Sequence, residues 1–432
     1  MTDEKICAGA LLTIGDYYGS IAATRCLGEA GIPIVFADHR RLVPARWSRH
    51  VASRVQCPDT RNFSAFGEWL ETFGKNHSGI FIYPTNDDVA FIMAMRQESL
   101  SKHFALFQPR VNAIMALLDK KLLAENARKS GLAAPETIVL SATTNLKSTI
   151  EGISLPVLVK PRTQVGLRTR GKGHLCRNVS EIVAAVDAFR KTEIYATETT
   201  DYDETLSWPM LQRYHETAVS GMLSISGFIP RGSQPSVMLA AEKVFQRPRR
   251  LGVGIAFEAR ELPVDLARRL EHLCHEVGYF GIFEAEFVTD ASSGEKLLVD
   301  FNPRFYGQMA FEIARGLRLP LLAYYSAIGD EVALSKELQL ARNAVAHPVA
   351  STSVYSLAWT LKLMIWTQSI GGHLSKAEKK VWKEWIENND RTRFDAITGG
   401  RDPGPCLIEA MTHSWRLMRH PRDFYRKFFR DS

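Results

Sequence analysis

Strand-like and helix-like segments alternate through the first third of the chain. The apolar run ICAGALLTIG (6–15) precedes a helical stretch from Ile21 to Glu29, and IPIVFAD (32–38) is again strand-like. GIFIYPT (79–85) then leads into the helical pattern DDVAFIMAM (87–95). Short apolar runs bounded by turn residues, each followed by a segment of helical period, predict parallel strands joined by helical crossovers. After Asp119, KKLLAENARK predicts a helix stopped by Gly131, with Pro135 beyond it. LPVLVKPR (155–162) predicts a strand ending at Lys160. GFIP (227–230) and SVMLAAEKVF (236–245) have strand character, and PVDLARRLEHLCHEVG (263–278) is helical. GIFEAEFVTD and KLLVDFNPR predict a hairpin across the turn ASSGE (291–295). Beyond about residue 330 helical patterns dominate, interrupted by ITGGRDPGP (397–405).

Length and composition narrow the class. A chain of 432 residues with 45% hydrophobic and 23% charged residues is expected to be a globular protein of two or three domains. The formal charge of +7 is spread among interleaved acids, so it does not by itself indicate nucleic acid. Only the last twenty residues, HSWRLMRHPRDFYRKFFRDS, are markedly basic, with aromatics at Trp415, Phe424, Tyr425, Phe428 and Phe429. Six scattered cysteines without a CxxC pair argue against a zinc module or a disulfide scaffold and suit a reducing cytoplasm. The first residues lack the pattern of a signal peptide, and the apolar run 355–370 is punctuated by Thr360, Lys362 and Gln368, as in a packed helix rather than a membrane span.

Candidate chemistry concentrates in a few places. In a regular hairpin Glu284 and Glu286 share one strand face, and Asp300 and Asn302 share a face of the next strand. Converging carboxylates with an amide oxygen suit Mg²⁺, with Arg304 near a phosphate; a charged, blunted strand edge is the competing reading. TQVGLRTRGKGHL (163–175) mixes glycines with Arg168, Arg170 and Lys172, but Gly173 stands where a P-loop needs Ser or Thr, and a strand follows where a helix is required. It reads as a phosphate-covering flap or as a solvated basic loop. GDYYGS (15–20) with Asp38 has two of the three glycines of a dinucleotide fingerprint and reads better as a turn without cofactor. His272, Cys274 and His275 fit an ordinary amphipathic helix better than a metal site.

In order along the chain, Lys120 after Asp119, Lys160 in LPVLVKP, the basic Gly-rich loop, MLQRYHE, AEK, EAEF and DFNPR resemble the ATP-grasp enzymes over about residues 1 to 330. The likeness is strongest to the carboxylate-amine ligase group that includes D-aspartate ligases, where PTNDD and FNPRFYGQ have counterparts. The resemblance implies an ATP-grasp fold: a Rossmann-like α/β domain over 1–115, the grasp over 116–330 with a small ATP-binding subdomain at about 137–212, and a mainly helical region over 331–432. It implies that Lys120 and Lys160 hold ATP phosphates under a flap carrying Arg168 and Arg170. Gln212, Arg213 and Tyr214 would meet adenine, and Glu216 the ribose. Lys243 would reach the transferred phosphate, Arg304 would flank it, and Glu286, Asp300 and Asn302 would hold Mg²⁺, or Mn²⁺ in its place.

Two departures stand out. Asp300 occupies a position where the family usually carries Glu, which bears on how many metals are bridged, and the hinge lacks the usual acidic residue near Gln212 and Arg213. The expected activity is ATP-dependent ligation of a small carboxylate to an amine, with an amino acid among the substrates and ADP and phosphate as products. Arg247, Arg249 and Arg250 could attract an anionic substrate or form a solvated turn. The basic C-terminal segment has two readings: a terminal helix packing its aromatics on the grasp domain, or a peripheral contact with an anionic membrane or partner. The alternatives are a dinucleotide-dependent oxidoreductase built on GDYYGS and Asp38, and a non-catalytic nucleotide-binding scaffold.

Overall fold

The computed structural model describes residues 9–150, 153–169, 173–219, 221–232, 234–248, 252–347, 352–389, 393–398, 401–422 and 425. Among these residues three sheets form in chain order. The first contains β1 (Ala10–Thr13), β2 (Ile34–Ala37), β3 (Val51–Val55), β4 (Ile80–Ile82) and β5 (Phe104–Leu106), parallel throughout in the order β3-β2-β1-β4-β5. The helix Tyr18–Glu29 carries the chain across from β1 to β2, starting three residues before the apolar pattern does. The second sheet is antiparallel, β6 (Thr137–Val139), β7 (Val157–Lys160), β8 (His174–Cys176) and β9 (Met210–Arg213), in the order β6-β9-β7-β8.

The third sheet has seven strands. Its centre is β10 (Met222–Ile229), β11 (Val237–Arg247), β12 (Val253–Arg260), β13 (Gly281–Thr289) and β14 (Lys296–Asn302), all antiparallel. The C-terminal region is mainly helical, as expected, yet it also adds β15 (Val354–Ser356) against β12 and β16 (Arg393–Asp395) parallel to β15. Three-residue strands are too short to carry a readable period, which is why the sequence does not announce them.

Alternate residues of the same strands enter two different cores. On one face of the sheets Leu12, Phe36, Phe81, Phe228, Leu239 and Ala241 pack together; on the other, Leu11, Ala37, Ile82, Ile225, Met238 and Ala240 do. Strands covered on both faces are buried at every position, as β10 is from end to end, its Ser224 and Ser226 included. The first and third sheets therefore share their cores and are held against each other. Gly19 permits one such approach: a Cβ there would stand 2.7 Å from the carbonyl oxygen of Tyr306.

Candidate active site

Each charged side chain of the site is set by a local element. Asp119 caps the helix Lys120–Lys129 by accepting from the Lys121 amide at 2.9 Å, and the helix ends before Gly131, whose φ of +74° few other residues adopt readily. The Lys120 amide donates to the Arg162 carbonyl at 2.9 Å, tying the helix start to the end of β7. Lys120 and Lys160 are thereby held close together. Across from them, β13 and β14 pair Glu286 with Asp300 and Glu284 with Asn302. The ladder is irregular next to the Glu286 pair, since Phe287 opposes Leu298 and leaves Val299 without a partner. Strict alternation would put Leu298 on the face of Asp300; with the bulge, Leu298 lies in the core while Asp300 and Asn302 line a cavity.

That cavity, about 740 Å³, brings together most of the residues expected from the sequence: Lys120, Lys160, Gln212, Arg213, Tyr214, Lys243, Glu286, Asp300, Asn302 and Arg304. Arg168 is exposed and does not line it, and neither does Glu216, which is also exposed. Arg170, Lys172, Arg249 and Arg250 lie outside the described residues. Arg247 does not line the cavity either; its charge acts on Tyr18. Several lining residues were not singled out as site residues: Tyr17, Asn86, Asp87, His215 and Gln308. PTNDD, MLQRYHE and FNPRFYGQ are the local signals for Asn86, Asp87, His215 and Gln308.

The charges are paired across strands and helices. Lys120 Nζ lies 2.6 Å from Asp300 Oδ1 and Lys243 Nζ 2.5 Å from Glu286 Oε1. Burial pushes the Asp300 carboxyl up, but the Lys120 ammonium outweighs it and leaves Asp300 below the usual range. Among the described residues Lys160 has no carboxylate partner: its Nζ donates to the neutral Gln212 Oε1 at 2.6 Å. Burial, with the Lys120 charge beside it, lowers its pKa to about 7. Glu284 is raised, first by burial and then by Glu286, and is held by Ser224, Asn302 and Gln308.

Arg304 joins the first sheet to the third. Its Nε donates to Asp87 Oδ1 at 2.6 Å, Nη1 to the Tyr17 hydroxyl at 2.7 Å and to the Phe305 carbonyl, and Nη2 to Asn302 Oδ1 at 2.6 Å. Burial works against its charge, yet Asp87 more than compensates and keeps the guanidinium protonated.

The donor set matches a hard divalent cation. Glu286 and Asp300 face each other and Asn302 adds an amide oxygen. Among the described residues no group of three His, Cys, Asp or Glu side chains gathers as a metal site, so further ligands would be phosphate oxygens and water.

The dinucleotide alternative meets a specific obstacle. Asp38 is buried; its Oδ2 accepts from the Gly15 amide and its Oδ1 from the Arg40 amide, each at 2.8 Å, with the Arg40 guanidinium beside both oxygens. The carboxylate that would bind a ribose thus closes its own turn.

No protein-family model matches the chain, and no curated protein does. Solved structures do. N5-carboxyaminoimidazole synthetase from Staphylococcus aureus, complexed with ADP, superposes with a TM-score of 0.56 at 14% identity, over 75% of this chain and 78% of that one. L-amino acid ligase from Bacillus licheniformis gives 0.51 at 12% identity, over 74% of each chain. Biotin carboxylase from Campylobacter jejuni gives 0.55 at 14% identity, over 74% of this chain and 71% of that one. At such identities the likeness is one of architecture, and by that measure the chain has the ATP-grasp fold.

Proposed function

We propose that the protein is an ATP-dependent carboxylate-amine ligase that works through an acyl phosphate. The carrying observation is the single cavity in which Lys120, Lys160, Lys243 and Arg304 converge with Glu286, Asp300 and Asn302. The ADP complex and the amino acid ligase among the similar structures support this reading, and the latter favours an amino acid as one substrate. In it residues 1–115 form the Rossmann-like domain, 116–330 the grasp and 331–432 the C-terminal region. The five described cysteines are unpaired and four of them buried, which supports a reducing cytoplasm.

A carboxylate is a poor electrophile because its oxygen is a poor leaving group. Attack of that oxygen on the γ-phosphorus breaks the bond to the β-phosphate oxygen, releases ADP and leaves an acyl phosphate. The amine nitrogen then attacks the carbonyl carbon, phosphate departs with the C–O electron pair, and the nitrogen loses a proton. In this reading Lys120 and Lys160 would hold nucleotide phosphates, Lys243 the transferred group, and Arg304 its flank, so the catalytic effect would be mainly electrostatic and positional. Glu286, Asp300 and Asn302 would hold Mg²⁺ or Mn²⁺, which neutralises charge on the phosphates. Gln212, Arg213, Tyr214 and His215 form the wall against which a base would lie.

A screen of amino acids and small carboxylates against amines, read as ADP release and by product mass, tests the reading. ADP and phosphate are expected. Hydroxylamine in place of the amine should give the hydroxamate of the true carboxylate. Asn302→Ala should abolish turnover with the fold retained, whereas AMP and pyrophosphate as products would overturn the mechanism.

A further inference from the structure

The C-terminal helix Gly404–Arg419 uses only part of its surface for packing. Its first turn seats on the short helix Pro44–Trp47 beside β2 and β3, where Gly404 backs onto the Trp47 carbonyl. Ile408 and Glu409 face inward, and Glu409 Oε1 accepts from the Tyr18 hydroxyl at 2.8 Å. Glu409 is the only acid in the helix, so the solvent side carries none. That side instead presents Leu407, Met411, Trp415 and Met418, exposed by 62, 59, 54 and 71%. At 3.6 residues per turn these positions fall within roughly a quarter-turn arc, a continuous apolar stripe. The expected packing of Trp415 on the grasp is therefore not what the structure contains; Phe424, Phe428 and Phe429 lie outside the described residues.

Cations flank the stripe. Arg419 lies over the Trp415 ring at 4.9 Å, Arg422 follows it, and at the helix start exposed Arg54 lies over half-exposed Trp47 at 5.4 Å. None of these arginines is in a salt bridge among the described residues. From residue 413 onward the sequence carries six Lys and Arg against two Asp. We infer that this helix is an interfacial anchor, laying its Leu-Met-Trp stripe into the surface of an anionic lipid bilayer while the arginines engage the headgroups.

Three features select a bilayer. The stripe is convex, with Met and Leu that adapt to a soft surface; Trp415 suits the headgroup boundary; and the charge is predominantly positive, complementary to anionic lipid. No helix among the described residues is long and apolar enough to cross a membrane, so the contact is peripheral. The inference does not depend on the ligase reading, since none of these residues lines the cavity.

Full-length protein sedimented with phosphatidylcholine vesicles, with and without phosphatidylserine, tests it. Binding should require phosphatidylserine, weaken with added salt and shift tryptophan emission to the blue. Arg419→Glu and Arg422→Glu should each lower partitioning by about tenfold, from the loss of one favourable charge and the gain of an unfavourable one. Trp415→Glu should lower it further, with an unchanged circular dichroism spectrum. Equal binding to neutral vesicles, or none to either, overturns the inference. A concentration-dependent dimer abolished by Trp415→Glu, without vesicle binding, would assign the stripe to a second copy of the chain and overturn it as well.

Discussion

Two charge clusters begin at neighbouring residues and have opposite characters. Arg162 is buried with both oxygens of Asp119, and its guanidinium also reaches Asp203 and the Thr205 hydroxyl. Neither Arg162 nor Asp119 lines the cavity. One residue on from Asp119 and two before Arg162, Lys120 and Lys160 do line it; Lys120 is paired with a partly exposed Asp300, and Lys160 has, among the described residues, an amide for its partner. The first cluster is saturated and spans the join between helix and strand. The second is less completely paired: among the described residues its two ammonium groups share one carboxylate, which leaves a place for an anion. A buried charge with all its partners belongs to the frame, and a buried cation left with a neutral partner marks where a ligand is expected.

The largest effect should come from breaking the frame. Arg162→Met leaves Asp119 buried and unpaired, and removing one member of such a pair costs about 3–5 kcal/mol, so chemical denaturation should register a loss of that size. Lys243→Met at the cavity should cost much less, because Glu286 can turn toward solvent. Equal losses would erase the distinction between the clusters.

Arg304 tests the site side. Arg304→Lys keeps the charge but cannot reproduce the fork that reaches Asp87, Tyr17 and Asn302 together. Turnover should fall by roughly 10²–10³, the range for losing one preorganised electrostatic group, together with a stability loss of about 1–3 kcal/mol from the hydrogen bonds a lysine cannot make. An unaltered rate would remove Arg304 from the catalytic set.

The smallest effect concerns protons. With a pKa of about 7 in the unliganded protein, Lys160 is charged below that pH and progressively neutral above it. A bound phosphate favours the ammonium, so above pH 7 nucleotide binding should take up a proton, and affinity should fall with rising pH by at most about tenfold per unit. For folding the sign is the reverse of a paired lysine: the unliganded fold bears the cost of a buried ammonium below pH 7, and that cost fades as pH rises from 7 toward the ordinary lysine value. Calorimetry of ATP binding in buffers of different ionisation heat should detect the uptake, and its absence in Lys160→Gln should sharpen the assignment.

Much of the architecture was legible because it rests on local signals. The capped helix after Asp119, the stop at Gly131, the strand ending at Lys160 and the hairpin of β13 and β14 all follow from period, cap and turn chemistry that a few adjacent residues carry. The order of the charged residues along the chain, with the family likeness it suggests, was legible for the same reason. The tertiary structure alone decided what depends on distant partners. Asp87 and Tyr17 are 217 and 287 residues from Arg304, and only the packing of the first sheet against the third makes them its ligands. The bulge at Val299 turns Leu298 inward because the core needs it there, which no period predicts. His215 enters the cavity while Glu216 points to solvent, since the chain leaves β9 for a short turn of helix at that point. Which buried charges are saturated and which remain open is a property of three-dimensional pairing, and a linear sequence lists the charges without their distances.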